Sequence, residues 1–501
     1  MIFVEMKFNE TTVGCMESLT SQRQQQEQTL EMRLPDGMPD AGRIIGVWGQ
    51  PVIRGKEWGT GSIGVSGGIM VWVLYAPEDG TAPRSMEGWM PFQMQWDVPD
   101  HGSDGFICIE PRMKNMDARC VSPRKIMVRG TVSIGADAMS RCTKSLYLPD
   151  AIPEDIQILR RSYPMEMVME CGEKTFQLDE DIIIPGNYPT VGKIVRYDVQ
   201  ADVTEQRIMA GRLVFRGVCR VHMLYSSDDG MLTAWDQEIP ISQYGDLDNE
   251  YSNHADADFV LIPSGMELDK LEDGKLLCKC SIIAQYMIYD RVMVDIIEDA
   301  YSPCRELNLQ FDTLDLPVRL EERKDRFTYT KNAQTQGNRV VDHAIMWDHG
   351  NIRQNGDTVG CEFQLHHQLL TYDENDNLHC ASIRGNEDWA MPSDDMNRVN
   401  LRPRPESPMI SFDEDAVNLS AGMEMTVSVF SQRGMDVITA IEYGDKNQPD
   451  PQRPSLILRK AGDERLWDIA KECRSTVDAI KRANKLTEEP KYDQMLLVPV
   501  Y

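Results

Sequence analysis

The stretch Gly67-Gly-Ile-Met-Val-Trp-Val-Leu-Tyr75-Ala-Pro-Glu-Asp-Gly80 decides the fold class, because it has the pattern of a β-strand and occurs twice. A shift of 150 residues places it on Gly217-Val-Cys-Arg-Val-His-Met-Leu-Tyr225-Ser-Ser-Asp-Asp-Gly230. Both stretches are rich in β-branched and aromatic residues, which favour strands. Each ends at an Asp-Gly pair, which is a strong signal for a β-hairpin turn.

Further matches in the same order indicate that a whole domain is duplicated. Pro39-Asp-Ala-Gly42 aligns with Pro189-Thr-Val-Gly192 at the same shift. A later strand, Lys125-Ile-Met-Val128, aligns with Arg291-Val-Met-Val294 if the second copy contains an insertion. The sequence therefore predicts two related β domains.

A weaker third copy follows the first two. Leu370-Thr-Tyr372-Asp-Glu-Asn-Asp-Asn377 aligns with Met223-Leu-Tyr225-Ser-Ser-Asp-Asp-Gly230. Asn377 then takes the place of the turn glycine, and asparagine tolerates the left-handed conformation better than most residues. The Pro-x-x-Gly opening is missing from this copy.

These repeats predict a mainly β chain of tandem antiparallel β-sandwich-like domains. The predicted domains cover residues 1–154, 155–322 and 323–450, and the third is a degenerate copy. Helical periodicity is scarce in this part of the chain and is confined to Asp155-Ile-Gln-Ile-Leu-Arg-Arg161. The proline-rich stretch 448–454 is predicted to be a semi-rigid linker.

Residues 454–501 have a different pattern, which predicts a small α+β domain of order strand, helix, helix, strand. A Gly462-Asp463 turn follows the first apolar run, and Leu466, Trp467 and Ile469 recur at helical spacing. Val477 and Ile480 do the same for a second helix, for which Ser475 is the predicted N-cap. Asp463 is the predicted cap of the first helix.

Composition excludes several classes of function. The chain has 501 residues and a net charge of −28, which argues against nucleic-acid binding. The first residues are too short and too charged for a signal peptide, and no apolar run is long enough to cross a membrane. The 12 cysteines are scattered, so we expect reduced thiols in the cytoplasm.

The sequence predicts no catalytic residues, no cofactor and no metal site. Gly59-Thr-Gly-Ser-Ile-Gly64 fits a nucleotide-binding string, but it precedes a strand without a following helix, so a hairpin loop is favoured. His366 and His367 are neighbours on a strand and point to opposite faces, so at most one could join His379 at a metal. Ordinary packed or surface histidines are the favoured interpretation.

The C-terminal segment resembles a LysM domain. The shared features are the Gly-Asp turn, a Leu466-Trp-x-Ile-Ala470 helix, a Val477-x-x-Ile-x-x-Ala-Asn484 helix and a closing Gln494-x-Leu-x-Val-Pro499 strand. The family is one of binding modules, usually for N-acetylglucosamine polymers such as peptidoglycan, and some members dock on proteins. The turn departs from the family pattern, because Glu464-Arg465 stands where a small hydroxyl residue is expected and is predicted to form an ion pair there.

The whole chain resembles SipL-like spore-coat morphogenetic proteins, which have tandem SPOCS domains and a C-terminal LysM domain. The resemblance rests on the Pro-x-x-Gly openings, the strands that end at Tyr75 and Tyr225, and the LysM pattern. It implies a non-enzymatic scaffold in the mother-cell cytoplasm, at the forespore surface and in the spore coat. Its implied partner is the basement-layer morphogenetic ATPase of the coat.

Two interpretations of the C-terminal domain stay open at this stage: docking on a coat protein, or binding of peptidoglycan glycan by a cell-envelope protein. Self-association through exposed β edges is a third interaction. We expect no membrane insertion. The candidate partner- or glycan-binding residues lie in the two loops of the LysM-like domain: Asp463, Glu464, Arg465, Lys485, Lys491 and Tyr492.

Overall fold

A computed structural model describes residues 3–99, 105–271, 274–335, 337–394, 396–413, 416–431, 434–447 and 454–501. Strands hold 75% of the residues and helices 3%, which confirms the prediction of a mainly β chain. All the strand pairs within its small sheets are antiparallel.

The first set of strands forms two sheets. After a short β1 (Val4–Glu5), six strands pair in the orders β2-β7-β6 and β3-β4-β5. One hydrophobic core contains buried residues from both sheets, such as Val71 of β4 and Val128 of β7. The strands are β2 (Phe8–Arg33), β3 (Ala41–Gly59), β4 (Ser62–Pro77), β5 (Arg84–Asp97), β6 (Gly105–Ser122) and β7 (Lys125–Pro149).

The second set repeats this pairing as β8-β13-β12 and β9-β10-β11. Its core also joins both sheets. The strands are β8 (Gln157–Ile182), β9 (Val191–Met209), β10 (Arg212–Ser227), β11 (Leu232–Asp246), β12 (Asp256–Lys270) and β13 (Leu276–Tyr301). The helix predicted at 155–161 is wrong. Residues from Gln157 onward pair with the end of β13, because Ile156 and Ile158 alternate as strand residues do.

The third set has the same plan with two small additions. β15 and β20 flank β22, with β21 also on β22, while β18 pairs with β16, β17 and β19. The strands are β15 (Arg319–Gln334), β16 (Arg339–His349), β17 (Arg353–Asn355), β18 (Thr358–Tyr372), β19 (Leu378–Pro392), β20 (Asn397–Pro405), β21 (Met409–Asp413) and β22 (Ala416–Ser431). They are preceded in the chain by β14 (Arg305–Leu314) and followed by β23 (Met435–Lys446), which belong to another sheet.

A further sheet draws one strand from each predicted domain. β23 pairs with β1 on one side and with β14 on the other. Met6 and Ile441 lie in the small core beneath it. This sheet links the start of the chain to the ends of the second and third sets.

The first two sets share details that explain their common residues. The Tyr75 hydroxyl donates to the Pro39 carbonyl at 3.2 Å, and the Tyr225 hydroxyl donates to the Pro189 carbonyl at 2.9 Å. A β-bulge lies opposite the glycine that opens each quoted stretch. A Cβ on Gly217 would lie 2.0 Å from the carbonyl oxygen of Asp202, so only glycine fits.

Two details of the repeat alignment are wrong. β7 begins at Lys125 and β13 begins at Leu276, a shift close to the 150 residues of the other matches. Arg291–Val294 is therefore not the counterpart of 125–128, and no insertion precedes the later strand of the second copy. In the third set, Asp373 and Asp376 close the turn as Ser227 and Gly230 do. The positive φ therefore falls on Asp376 and not on Asn377.

Buried ion pairs join the sets through β16. Asp342 accepts from the Arg196 guanidinium at 2.8 Å and contacts the His222 imidazole at 3.0 Å, and both of these residues belong to the second set. Asp348, near the other end of β16, lies 3.4 Å from the Arg23 guanidinium of the first set. Because a buried charge is stable only when it is paired, these contacts fix how the sets meet.

The C-terminal module comprises residues 454–501 and has the element order β24 (Leu456–Lys460), α1 (Leu466–Glu472), α2 (Val477–Asn484) and β25 (Met495–Pro499). β24 and β25 pair with each other. Leu466, Ile469, Ile480 and Val498 are fully buried between the helices and this sheet.

Candidate docking site

The first loop of the module, 461–465, ends in charged residues that are held in separate ion pairs. The Glu464 carboxylate accepts from the Arg459 guanidinium at 2.9 Å. Arg465 pairs with Asp468 at 3.0 Å, and this hydrogen bond raises the pKa of Arg465. The predicted Glu464–Arg465 ion pair is therefore wrong, since each side chain has a closer partner of its own.

The predicted helix caps are also wrong, by one or two residues. Arg465 occupies the N-cap position of α1, and the Leu466 N–H donates to the Glu489 carboxylate at 2.8 Å. Asp463 is exposed and does not cap the helix. α2 is capped by Thr476, whose hydroxyl accepts from the Ala479 N–H at 3.1 Å, and not by Ser475.

The second loop, 485–494, supplies the other candidate residues. Lys485 ends α2 in the left-handed conformation with φ 54°, and its side chain is exposed. Lys491 is exposed as well, and Tyr492 is 68% exposed. An exposed aromatic side chain between charged neighbours is a common feature of protein contact surfaces.

Hydrogen bonds bring most of the two loops together. The Ala461 N–H donates to the Gln494 carbonyl at 2.9 Å, and the Asp493 N–H donates to the Ala461 carbonyl at 2.8 Å. The Glu489 bond to the start of α1 closes the gap between the loops. Lys485 takes part in none of the loop-to-loop hydrogen bonds found among the described residues, so it lies at the margin of the site.

The module packs on the second set, a contact that could not be predicted from the sequence. The Trp467 ring lies edge-on to Tyr301 at the end of β13, with centroids 4.8 Å apart. Its indole N–H donates to the Asp299 carboxylate at 2.8 Å, and the Lys471 ammonium contacts the same carboxylate at 2.8 Å. These partners are separated by 168 and 172 positions in the chain, and no local pattern links them.

The contact of Trp467 and Lys471 with β13 places acidic residues of the second set beside the candidate site. The negative charges of Glu298 and Asp299, across the interface, also raise the pKa of Arg465. Trp467 is therefore both a core residue of the module and the residue that fixes it on β13. Its replacement would disturb folding and placement together.

The histidines and the glycine-rich string have structural roles. His367 contacts His343 at 2.9 Å and the Tyr329 hydroxyl at 3.0 Å, and His366 bonds to Ser382. His379 bonds to Asp373, away from that pair. Gly59–Gly64 spans the turn between β3 and β4, with only Thr60 and Gly61 between the two strands. Over the described ranges, no group of three or more His, Cys, Asp or Glu residues could hold a metal ion.

None of the helices in the described part of the chain is long and apolar enough to cross a membrane.

The chain is a mainly β protein of repeated sheet pairs that carries a small helical module with a charged, two-loop surface.

Comparison with known families assigns part of this architecture. Residues 190–264, which span β9, β10, β11 and part of β12, match the family model described as SipL, SPOCS domain. The match supports a SipL-like SPOCS domain in this segment, and such a domain suggests a sporulation-related coat protein. The SipL family is not a known enzyme family. No curated protein and no solved structure gave a significant match.

Proposed function

We propose that this chain is a non-enzymatic spore-coat assembly scaffold. Residues 1–154, 155–322 and 323–450 are three SPOCS-like domains in this proposal, and 454–501 is a LysM domain that docks on the basement layer of the coat. The protein acts in the mother-cell cytoplasm, at the forespore surface. Its partner is the morphogenetic ATPase of that layer.

The family match in the second set carries the proposal. The first and third sets have the same order of strand pairing as the matched set, which favours three domains of one kind. Three joined sheet pairs suit a protein that binds other proteins along its surface. Exposed strand edges could also add further copies of the chain.

The loop chemistry favours a protein over a sugar as the ligand of the module. In the LysM family that the module resembles, a small hydroxyl residue in the first turn caps the first helix and lines the glycan groove. Here the Leu466 N–H is already bound by Glu489, and Arg465 and Asp468 form a charged pair across the helix start. Charged side chains around an exposed Tyr492 fit a protein interface that has an aromatic contact at its centre and a polar rim.

The test uses the full chain, because Trp467 is packed on Tyr301 and an isolated module would lose that contact. Binding of the purified chain to the basement-layer ATPase and to chito-oligosaccharides is measured side by side by calorimetry. Tyr492→Ala should weaken ATPase binding by about tenfold or more, because a central exposed aromatic residue is a typical hot spot.

Tyr501→Ala is the matched control. Tyr501 is 64% exposed, close to the 68% of Tyr492, but it lies at the opposite end of the β24–β25 pair. Saturable ATPase binding that is lost only in the Tyr492 variant supports the scaffold. Binding to the sugar alone would overturn it and favour the alternative, a peptidoglycan-binding protein of the cell envelope.

A further inference from the structure

Two cysteines of the first set lie directly opposite each other on paired strands. Cys15 of β2 and Cys142 of β7 are register partners, and their sulfur atoms are 3.1 Å apart. Directly paired residues on antiparallel strands have Cα atoms about 4.5–5.5 Å apart. Disulfide-bonded cysteines usually have Cα atoms about 4.4–6.8 Å apart, so the strands need little movement to allow a bond.

The two thiols differ in how far solvent can reach them. Cys15 is 1% exposed and packs in a cluster with Met167 and Val294 of the second set. Cys142 is partly exposed, at the edge of the same cluster. A small oxidant can therefore reach the Cys142 sulfur first. The Cys15 sulfur is buried behind it, close enough to form a bond with it.

The charges around the pair suit this order of reaction. The hydrogen bond between the two thiols lowers the pKa of Cys142 and raises that of Cys15. Burial and the Glu17 carboxylate raise the pKa of Cys142 and Lys144, which is paired with Glu17 at 3.6 Å, lowers it, but the hydrogen bond with Cys15 is the largest effect and leaves the pKa of Cys142 lowered. A thiolate is the form that attacks oxidants, so the exposed member of the pair is also the more reactive one.

We propose that Cys15 and Cys142 form a reversible redox site that is closed by peroxides. The Cys142 thiolate attacks one peroxide oxygen, the O–O bond breaks, and a sulfenic acid forms as hydroxide leaves; the hydroxide takes up the proton that the Cys142 thiol had lost and becomes one water. The Cys15 sulfur then attacks the Cys142 sulfur, the S–O bond breaks, and a second water leaves with the Cys15 proton. The two sulfur atoms lose two electrons in total, and one hydrogen peroxide is reduced to two waters.

A second close sulfur pair among the described residues does not fit this chemistry. Cys278 and Cys280 lie two positions apart on β13, with sulfur atoms 3.5 Å apart, and both are buried. They therefore lack both the cross-strand geometry and the exposed member. In a reducing cytoplasm the Cys15–Cys142 pair remains as two thiols, and it closes only when peroxide is present.

The first test needs no variant. The reduced full chain is treated with hydrogen peroxide and alkylated, and its peptides are mapped by mass spectrometry without reduction. We expect one linked peptide that contains residues 15 and 142, the loss of two of the 12 thiols, and full recovery after dithiothreitol. Unlinked peptides, or links that involve other cysteines at the same peroxide dose, would overturn the proposal.

Single variants then test the order of attack. Cys15→Ser leaves the exposed sulfur without its partner, so dimedone should label Cys142 during peroxide treatment. Cys142→Ser should leave Cys15 unlabelled because it is buried. Cys120→Ser is the control, since Cys120 is also partly exposed and its loss should leave the linked peptide unchanged. Equal dimedone labelling of Cys15 and Cys142 in these variants would contradict the assigned roles.

Discussion

Lowering the pH from 7 to 5 should unfold the third set before the other two, because four of its histidines are buried without charge. His343 and His349 lie on β16, and His366 and His367 lie on β18. Burial lowers the pKa to about 4 for His343 and His366, and to about 3 for His349 and His367. Each therefore stays neutral in the folded chain at pH 5.

The direction of the change in stability with pH follows from proton binding. An unfolded histidine has a pKa of about 6.5, so the unfolded chain binds more protons than the folded chain below that pH, and stability falls as the pH falls. At pH 5 the loss is about 2 kcal/mol for each histidine, at about 1.4 kcal/mol per pH unit, or about 8 kcal/mol for four independent groups. Typical domains have only about 5–15 kcal/mol of stability.

His222 acts in the opposite direction but cannot compensate. Burial lowers its pKa, but hydrogen bonds to Asp236 and Asp342 outweigh this effect and raise it to about 10. Its contribution to stability is fully present below pH about 6.5 and is lost as the pH rises through about 10. Between pH 7 and pH 5 it adds less than about 1 kcal/mol.

The assay is hydrogen exchange followed by mass spectrometry at pH 7 and pH 5, corrected for intrinsic exchange rates. Peptides from β16 and β18 should lose protection at pH 5 while those from β4 and β10 keep it. His366→Gln removes one titrating group, so the acid midpoint of the third set should move to lower pH. Equal protection of all three sets at pH 5, or an unchanged midpoint in the variant, would refute the reasoning.

Three other substitutions should lower the stability of the chain or of its C-terminal module. Asp342→Asn should destabilise the chain by about 3 kcal/mol in urea unfolding, since it removes the buried carboxylate that Arg196 and His222 share and leaves them only the more exposed Asp198 and Asp236; Asp236→Asn, which is more exposed, should cost less. Gly217→Ala should cost about 1–3 kcal/mol in thermal unfolding because its Cβ meets a carbonyl oxygen, while Gly186→Ala meets open space. Asp299→Asn should speed proteolysis of the C-terminal module, by weakening contacts worth about 2 kcal/mol.

Local patterns predicted a strand correctly where a run of strand-forming residues was followed by residues that favour a turn. The stretches that end at Tyr75 and Tyr225 form β4 and β10, and Leu466, Ile469 and Ile480, which recur at helical spacing, lie in the core of the C-terminal module. The turn glycines Gly80 and Gly230 both have positive φ, as the hairpin signal requires. These features depend on residues close together in the chain, so a sequence reveals them.

Features that depend on distant residues could not be predicted in this way. The helix predicted at 155–161 is a strand because β13, more than 100 residues later, offers it a partner. The cap of α1 comes from Glu489 of the other loop, and an acidic residue beside the candidate site, Asp299, comes from β13. Neither contact leaves a pattern in the nearby sequence.

The third set diverges from the others in sequence because its residues bind the other sets. The Tyr225 hydroxyl bonds within its own set, whereas the Tyr372 hydroxyl accepts from the Leu232 N–H of the second set. Asp342 and Asp348 of β16 are used in the same way, for partners in two different sets. A domain that must match two neighbours keeps the strand order of its fold but not the residues of a free-standing copy, so its likeness to the others survives in topology more than in sequence.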